Sequence, residues 1–197
     1  DLAWRSDGQR LFSCGEDKTL RAWDVGASAL LWTSAGPGEL VSVAWLETGV
    51  VSADQNGRIA IVDEETGKPS TAIDLGKRVR VRGSPTGHLL AAVGGDLPGR
   101  VYSAELELAC EAPLPGPGIS CCWSPDGTSV AFLTFDGDVV VVRAQSGEVV
   151  WSAKGKHLQA TTIAWAPDGD TLVSPYEHKS LRVWNANDGI PVGSIEL

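Results

Sequence analysis

The chain has 197 residues, 43% hydrophobic and 21% charged, with 23 Gly and 11 Pro; this mix suits short strands between many turns and excludes collagen-like or disordered classes. Its formal net charge of −9 excludes a general affinity for nucleic acid or anionic lipid, because such affinity rests on Lys and Arg neutralising phosphates. No run of apolar residues is long enough to cross a membrane as a helix, and no signal-peptide pattern opens the chain, so a soluble segment is expected.

Read in chain order, one unit of about forty residues recurs five times. The first copy opens on a strand ending in Trp4, turns at Ser6-Asp7-Gly8 and continues through an apolar run, Arg10 to Ser13. Its third strand is Leu20-Arg21-Ala22-Trp23-Asp24 and its fourth contains Ala29-Leu30-Leu31-Trp32. The second copy repeats the Trp at Trp45, the turn at Glu47-Thr48-Gly49 and the third strand at Val62, followed by a turn with Gly67. In the third, Gly83 replaces the Trp before Pro85-Thr86-Gly87, and Leu89 to Val93 and Tyr102 mark the next strands.

The fourth copy has Trp123, Pro125-Asp126-Gly127, Val130 to Leu133, Val142, a turn with Gly147, and Glu148 to Trp151. The fifth has Trp165, Pro167-Asp168-Gly169, Leu181-Arg182-Val183-Trp184-Asn185, a turn with Gly189, and a last strand from Ile190 to Leu197. The turn glycines lie 41, 38, 40 and 42 residues apart. Four strands joined by tight turns make an antiparallel meander that cannot bury both faces alone and must stack on its neighbours. The expected fold class is therefore all-β: a β-propeller of four-stranded antiparallel blades at about 1–36, 37–76, 77–116, 117–157 and 158–197. Trp4, Trp45, Trp123 and Trp165 are expected to pack between blades, where a large aromatic buries the most area.

These residues resemble the WD40-repeat (WD40/YVTN-like) β-propeller family across essentially the whole chain. The strongest units are Ala3 to Gly8 with Gly15 to Asp24, and Ala164 to Gly169 with Trp184-Asn185; only the first ends in a Trp-Asp pair. The resemblance implies a ring of about seven blades, of which this chain supplies five, with a closed five-bladed ring as the alternative. It also implies an acid six residues before the third-strand Trp as a structural acceptor in the turn between the second and third strands. That place holds Asp17, Asn56, Asp96, Asp136 and, in the fifth copy, His178. The family's Gly-His pair has its nearest counterpart in Gly155-Lys156-His157.

No catalytic constellation emerges from the residues themselves. His88, His157 and His178 accompany no nucleophile elbow, and repeat-equivalent acids are the product of a structural motif and not a catalytic pair with split environments. No Cys-x-x-Cys or His-x-His spacing suggests a metal, Cys121 and Cys122 point to opposite sides of a strand, and Gly94 to Gly99 lacks the helix of a phosphate loop. No catalysis, cofactor or metal is expected. The alternative is a quinone-cofactor (PQQ-like) propeller or a cofactor-free relative, whose tryptophan-docking repeats Val62 to Lys68 and Ala144 to Trp151 resemble.

With no Met and an opening that already reads as a strand, the segment is expected to come from a longer chain with further blades and domains. Its four cysteines suit reduced thiols in a cytoplasm better than a disulfide framework. The expected role is an interaction scaffold whose loops bind protein or peptide, an acidic or phosphorylated peptide being the partner that basic loops suit, with no nucleic acid or membrane partner. The candidate contacts are Lys77, Arg78 and Arg80, running on to Arg82; Lys154, Lys156 and His157; and Tyr176, Glu177 and His178. Alternation puts Arg78, Arg80 and Arg82 on one strand face, which suits a partner and a solvated edge equally.

Overall fold

The computed structural model describes residues 1–156, 161–177 and 179–196. Twenty strands form five four-stranded sheets, each in sequence order and each pairing its strands with their chain neighbours; no helix occurs among the described residues. The first sheet contains β1 (Leu2–Trp4), β2 (Arg10–Cys14), β3 (Thr19–Asp24) and β4 (Ala29–Ala35). The second contains β5 (Leu40–Leu46), β6 (Gly49–Asp54), β7 (Arg58–Val62) and β8 (Pro69–Asp74). The third contains β9 (Arg80–Gly83), β10 (Leu89–Val93), β11 (Gly99–Ser103) and β12 (Leu108–Ala112). The fourth contains β13 (Gly118–Trp123), β14 (Ser129–Thr134), β15 (Val139–Arg143) and β16 (Val149–Ala153). The fifth contains β17 (Ala164–Trp165), β18 (Thr171–Pro175), β19 (Ser180–Asn185) and β20 (Pro191–Glu196). Each sheet is a four-stranded antiparallel meander, the unit of a β-propeller blade.

Composition explains which strands are central. The four valines of β15 are buried, as is all of β14, because both faces of these middle strands are covered; β20 is exposed along its whole length. In four sheets the pairing of third and fourth strands slips at the same place, between Ala22 and Trp23, Ile61 and Val62, Val141 and Val142, and Val183 and Trp184. A bulge there tightens the local twist. The repeat therefore extends to an irregularity of the backbone.

The residues cluster into two compact units, 1–90 with 102–107, and 91–101 with 108–197. In the first, Phe12, Leu20 and Ala22 pack with Leu40, Val43, Val50 and Val62, and Ala3, Trp32 and Trp45 lean on that cluster. In the second, Leu133, Val141 and Trp151 pack with Ile163, Leu172 and Trp184. Trp123 is buried, and Trp45 and Trp165 are half-buried against these cores. In β1, Ala3 packs on the core cluster, while Leu2 and Trp4 are 62% and 55% exposed.

A single contact joins successive sheets three times. Trp32 Nε1 donates to the Glu64 carbonyl (2.8 Å), Cys110 Sγ to the Ala144 carbonyl (3.2 Å) and Trp151 Nε1 to the Ala186 carbonyl (2.8 Å). All three acceptors occupy the same place in a turn between third and fourth strands. Each donor also rests on that turn's left-handed residue, Gly67, Gly147 or Gly189, with no Cβ between them. In the first and third sheets the left-handed turn residue is Ser28 or Leu106. The side chain standing where Trp32 stands is Thr71 in β8, opposite Ile61.

Candidate partner-binding site

The turns between second and third strands form the base on which the linking loops lie. In the first sheet, Asp17 accepts bonds from the Thr19 hydroxyl (2.8 Å), the Thr19 amide (3.1 Å) and Arg21 (2.7 Å), which hold its carboxyl below the usual range. In the second, the acceptor is Asp54, two residues before Asn56. It is 3% exposed and takes the amides of Asn56 (2.8 Å) and Arg58 (3.0 Å). Asn56 itself is exposed.

In the fourth sheet Thr134, fully buried, stands in the place of Asp54 and accepts the Asp138 amide (3.0 Å), while Asp138 accepts the Gly155 amide (2.8 Å). Asp96 and Asp136 are exposed in the equivalent turns. Removing the buried acceptor strands two amides, so Asp54→Ala is expected to cost about 1–3 kcal/mol, whereas Asn56→Ala should stay within about 0.5 kcal/mol. Urea unfolding of the two variants checks this.

The loops carrying the basic residues are pinned by close backbone approach. The Leu75 amide donates to the Gly57 carbonyl (2.9 Å), and a Cβ at Gly57 would lie 2.5 Å from the Lys77 amide nitrogen, so the chain passes there only over a glycine. Beyond it Val79 and Val81 are buried, which turns Arg78 and Arg80 outward. Both are exposed and neither has an acidic partner among the described residues. Lys77 is also exposed. Arg82, third in the row, is half-buried and donates to Asp1 (2.9 Å), Ser42 Oγ (3.2 Å) and its neighbour's carbonyl (3.0 Å). The stripe therefore divides into two outward arginines and one engaged in structure.

In the second unit, Gly155 crosses Gly137 in the same manner, with a Cβ there meeting the Gly137 Cα at 2.6 Å. Lys154 stands at the rim of an apolar groove of about 380 Å³ between the Pro113–Pro115 loop and β16. Lys156 reaches Glu177 (Nζ to Oε1, 2.5 Å) and lies 5.3 Å from the centre of the Tyr176 ring. The bond to Lys156 lowers the Glu177 carboxyl, and the same bond raises the Lys156 ammonium.

Tyr176 meets Trp184 edge to face at 6.4 Å, and Arg182, half-buried on β19, lays its guanidinium 3.7 Å from the centre of the Tyr176 ring. Lys156, Tyr176 and Glu177, separate in the sequence, thus form one cluster. His157 and His178, expected beside them, lie outside the described residues. The third histidine, His88, is exposed and bonds Glu47 (2.6 Å).

Asp54 and Arg182 are the two participants that the sequence does not announce. Asp54 had a signal, an Asp two residues before Asn-Gly, the pattern of a side chain closing its own turn. Arg182 had none, since its place in the cluster depends on Tyr176 folding over it.

Comparisons with known proteins agree with this geometry. A family model described as "Anaphase-promoting complex subunit 4 WD40 domain" matches residues 121–197, and one described as "WD domain, G-beta repeat" matches residues 1–24. The chain is 25% identical over 183 residues to Apoptotic protease-activating factor 1 of Mus musculus, covering 93% of this chain and 11% of that protein. It is 24% identical over 201 residues to WD repeat-containing protein 91 homolog of Dictyostelium discoideum, covering 95% and 26%. To WD repeat-containing protein 1 of Bos taurus it is 27% identical over 194 residues, covering 85% and 30%. The chain thus spans less than a third of the length of each of these relatives.

Proposed function

The chain belongs to the WD40-repeat family, and from that premise we propose that it is a protein-interaction scaffold with no catalysis of its own, whose loop face takes an acidic or phosphorylated peptide. Five sheets within relatives several times longer suit a part of a larger ring in a larger protein.

The observation that carries the peptide reading is the pair Arg78 and Arg80. In a chain of net charge −9, acids are plentiful, yet these two cations project from β9 and the segment leading into it with none against them among the described residues. A guanidinium matches carboxylate or phosphate oxygens two at a time, and two of them at alternate positions match acids spaced along an extended peptide.

The test is fluorescence anisotropy with labelled peptides of one sequence carrying Ser, Glu or phosphoserine at alternate positions. The acidic peptides are expected to bind and the Ser peptide not. Arg78→Ala with Arg80→Ala should weaken binding about tenfold or more, and added salt should weaken the wild type in the same sense. Equal binding of all three peptides, or no loss in the double variant, would overturn the reading.

A further inference from the structure

The first and fifth sheets contain nearly the same segment. Asp17-Lys18-Thr19-Leu20-Arg21-Ala22-Trp23 aligns with His178-Lys179-Ser180-Leu181-Arg182-Val183-Trp184. The frameworks agree in detail: both lysines are left-handed, at φ 65° and 68°, and both Trp indoles donate to a second-strand serine, Ser13 or Ser174, at 2.9 Å. Arg21 and Arg182 lie opposite those same serines in the register.

The arginines differ in what answers them. Arg21 donates to Asp17 at 2.7 Å. In the fifth copy the acid's place in the sequence holds His, and the Arg182 guanidinium lies on Tyr176 with its Nε buried and without a hydrogen-bond partner among the described residues. The acid beside it, Glu177, is committed to Lys156. A buried N–H left unmade is costly, more so on a charged group, and an oxyanion would recover that cost.

We propose that Arg182 and Lys156, converging on the Tyr176 ring, form an oxyanion site for a carboxylate or phosphate side chain of a partner peptide, with Glu177 as the internal occupant that the ligand displaces from Lys156. This rests on the acidic-partner reading above and names a separate acid-binding point within the second unit. Tyr176 and Glu177 lie in the loop after β18, so the cover over the guanidinium is a loop and not a strand.

The experiment follows the Arg182 Nε–H resonance by NMR, assigned through its absence in Arg182→Lys, during titration with inorganic phosphate and separately with acetate. Phosphate is expected to move the resonance. Glu177→Gln, an exposed change that removes the competitor, should tighten the response by about threefold to tenfold. His178→Asp, which writes the first copy's acid into the fifth, should abolish it. A shift with acetate as well assigns the site to carboxylates; a shift with phosphate alone assigns it to phosphorylated side chains.

A resonance indifferent to both anions in the wild type and in Glu177→Gln would overturn the proposal. If acidic peptides bind through Arg78 and Arg80 while that resonance stays still, this inference falls and the wider reading stands. If phosphate moves it and no acidic peptide binds, the oxyanion site stands and the peptide reading falls.

Discussion

Trp151→Ala is expected to destabilise the protein by about 3–5 kcal/mol, the cost of emptying the place of a large buried aromatic. The side chain is 7% exposed, lies 6.2 Å from Trp184, and donates to the Ala186 carbonyl. The variant loses the ring's contacts and leaves that carbonyl without its donor. Leu108→Ala is the matched control: Leu108, on the outer strand β12, is 52% exposed, and its removal should cost less than about 1 kcal/mol. Urea unfolding followed by far-ultraviolet circular dichroism gives both numbers. Equal losses would mean that the Trp151 ring is no better packed than an exposed leucine.

Gly189→Ala should cost about 2–4 kcal/mol, the sum of two effects. Its φ of +70° is unfavourable for a residue with a Cβ, and that Cβ would lie 2.6 Å from Trp151 Cδ2. Gly8 separates the two: its φ is +71° and nothing lies within 4 Å of the added atom, so Gly8→Ala should show the backbone part alone, about 1 kcal/mol. The double variant Trp151→Ala with Gly189→Ala should recover the steric part, so the two losses will not add. Additive losses would show that the indole does not rest on the glycine in solution.

The strands are legible in the sequence because their turns must be built from glycine at fixed intervals. Gly8, Gly87, Gly127 and Gly169 all adopt positive φ, and the runs between them are strands in the structure. What periodicity does not contain is how deeply each repeat-equivalent side chain is covered: Trp123 is buried, while Trp45 and Trp165 are half-buried.

Of the expected turn acceptors, Asp17 closes its turn through the Thr19 amide and hydroxyl, whereas in the second sheet Asp54, two residues before Asn56, takes the turn amides from within the strand. Of the basic residues, alternation alone places Arg78 and Arg80 outward once Val79 and Val81 are recognised as core. The Lys156, Tyr176 and Glu177 cluster needed the folded loops. Arg182 is the least legible, since an identical-looking arginine, Arg21, has its own acid.

The docking of one sheet's outer strand on the next sheet's turn bears on how such a repeat array can evolve. Trp32 and Trp151 need a glycine opposite them, and they have Gly67 and Gly189; Leu106 leaves no such room, and the strand before it brings Thr71. The copies are therefore not interchangeable modules. Recombination that moved the third copy behind the fourth would drive the Trp151 indole against the Leu106 side chain, and moving the fifth behind the second would set a small threonine over Gly189 with a void where the indole had been. Each of these junctions is a matched pair spanning two repeats, so a change of side chain in one copy must be answered by the turn of its neighbour.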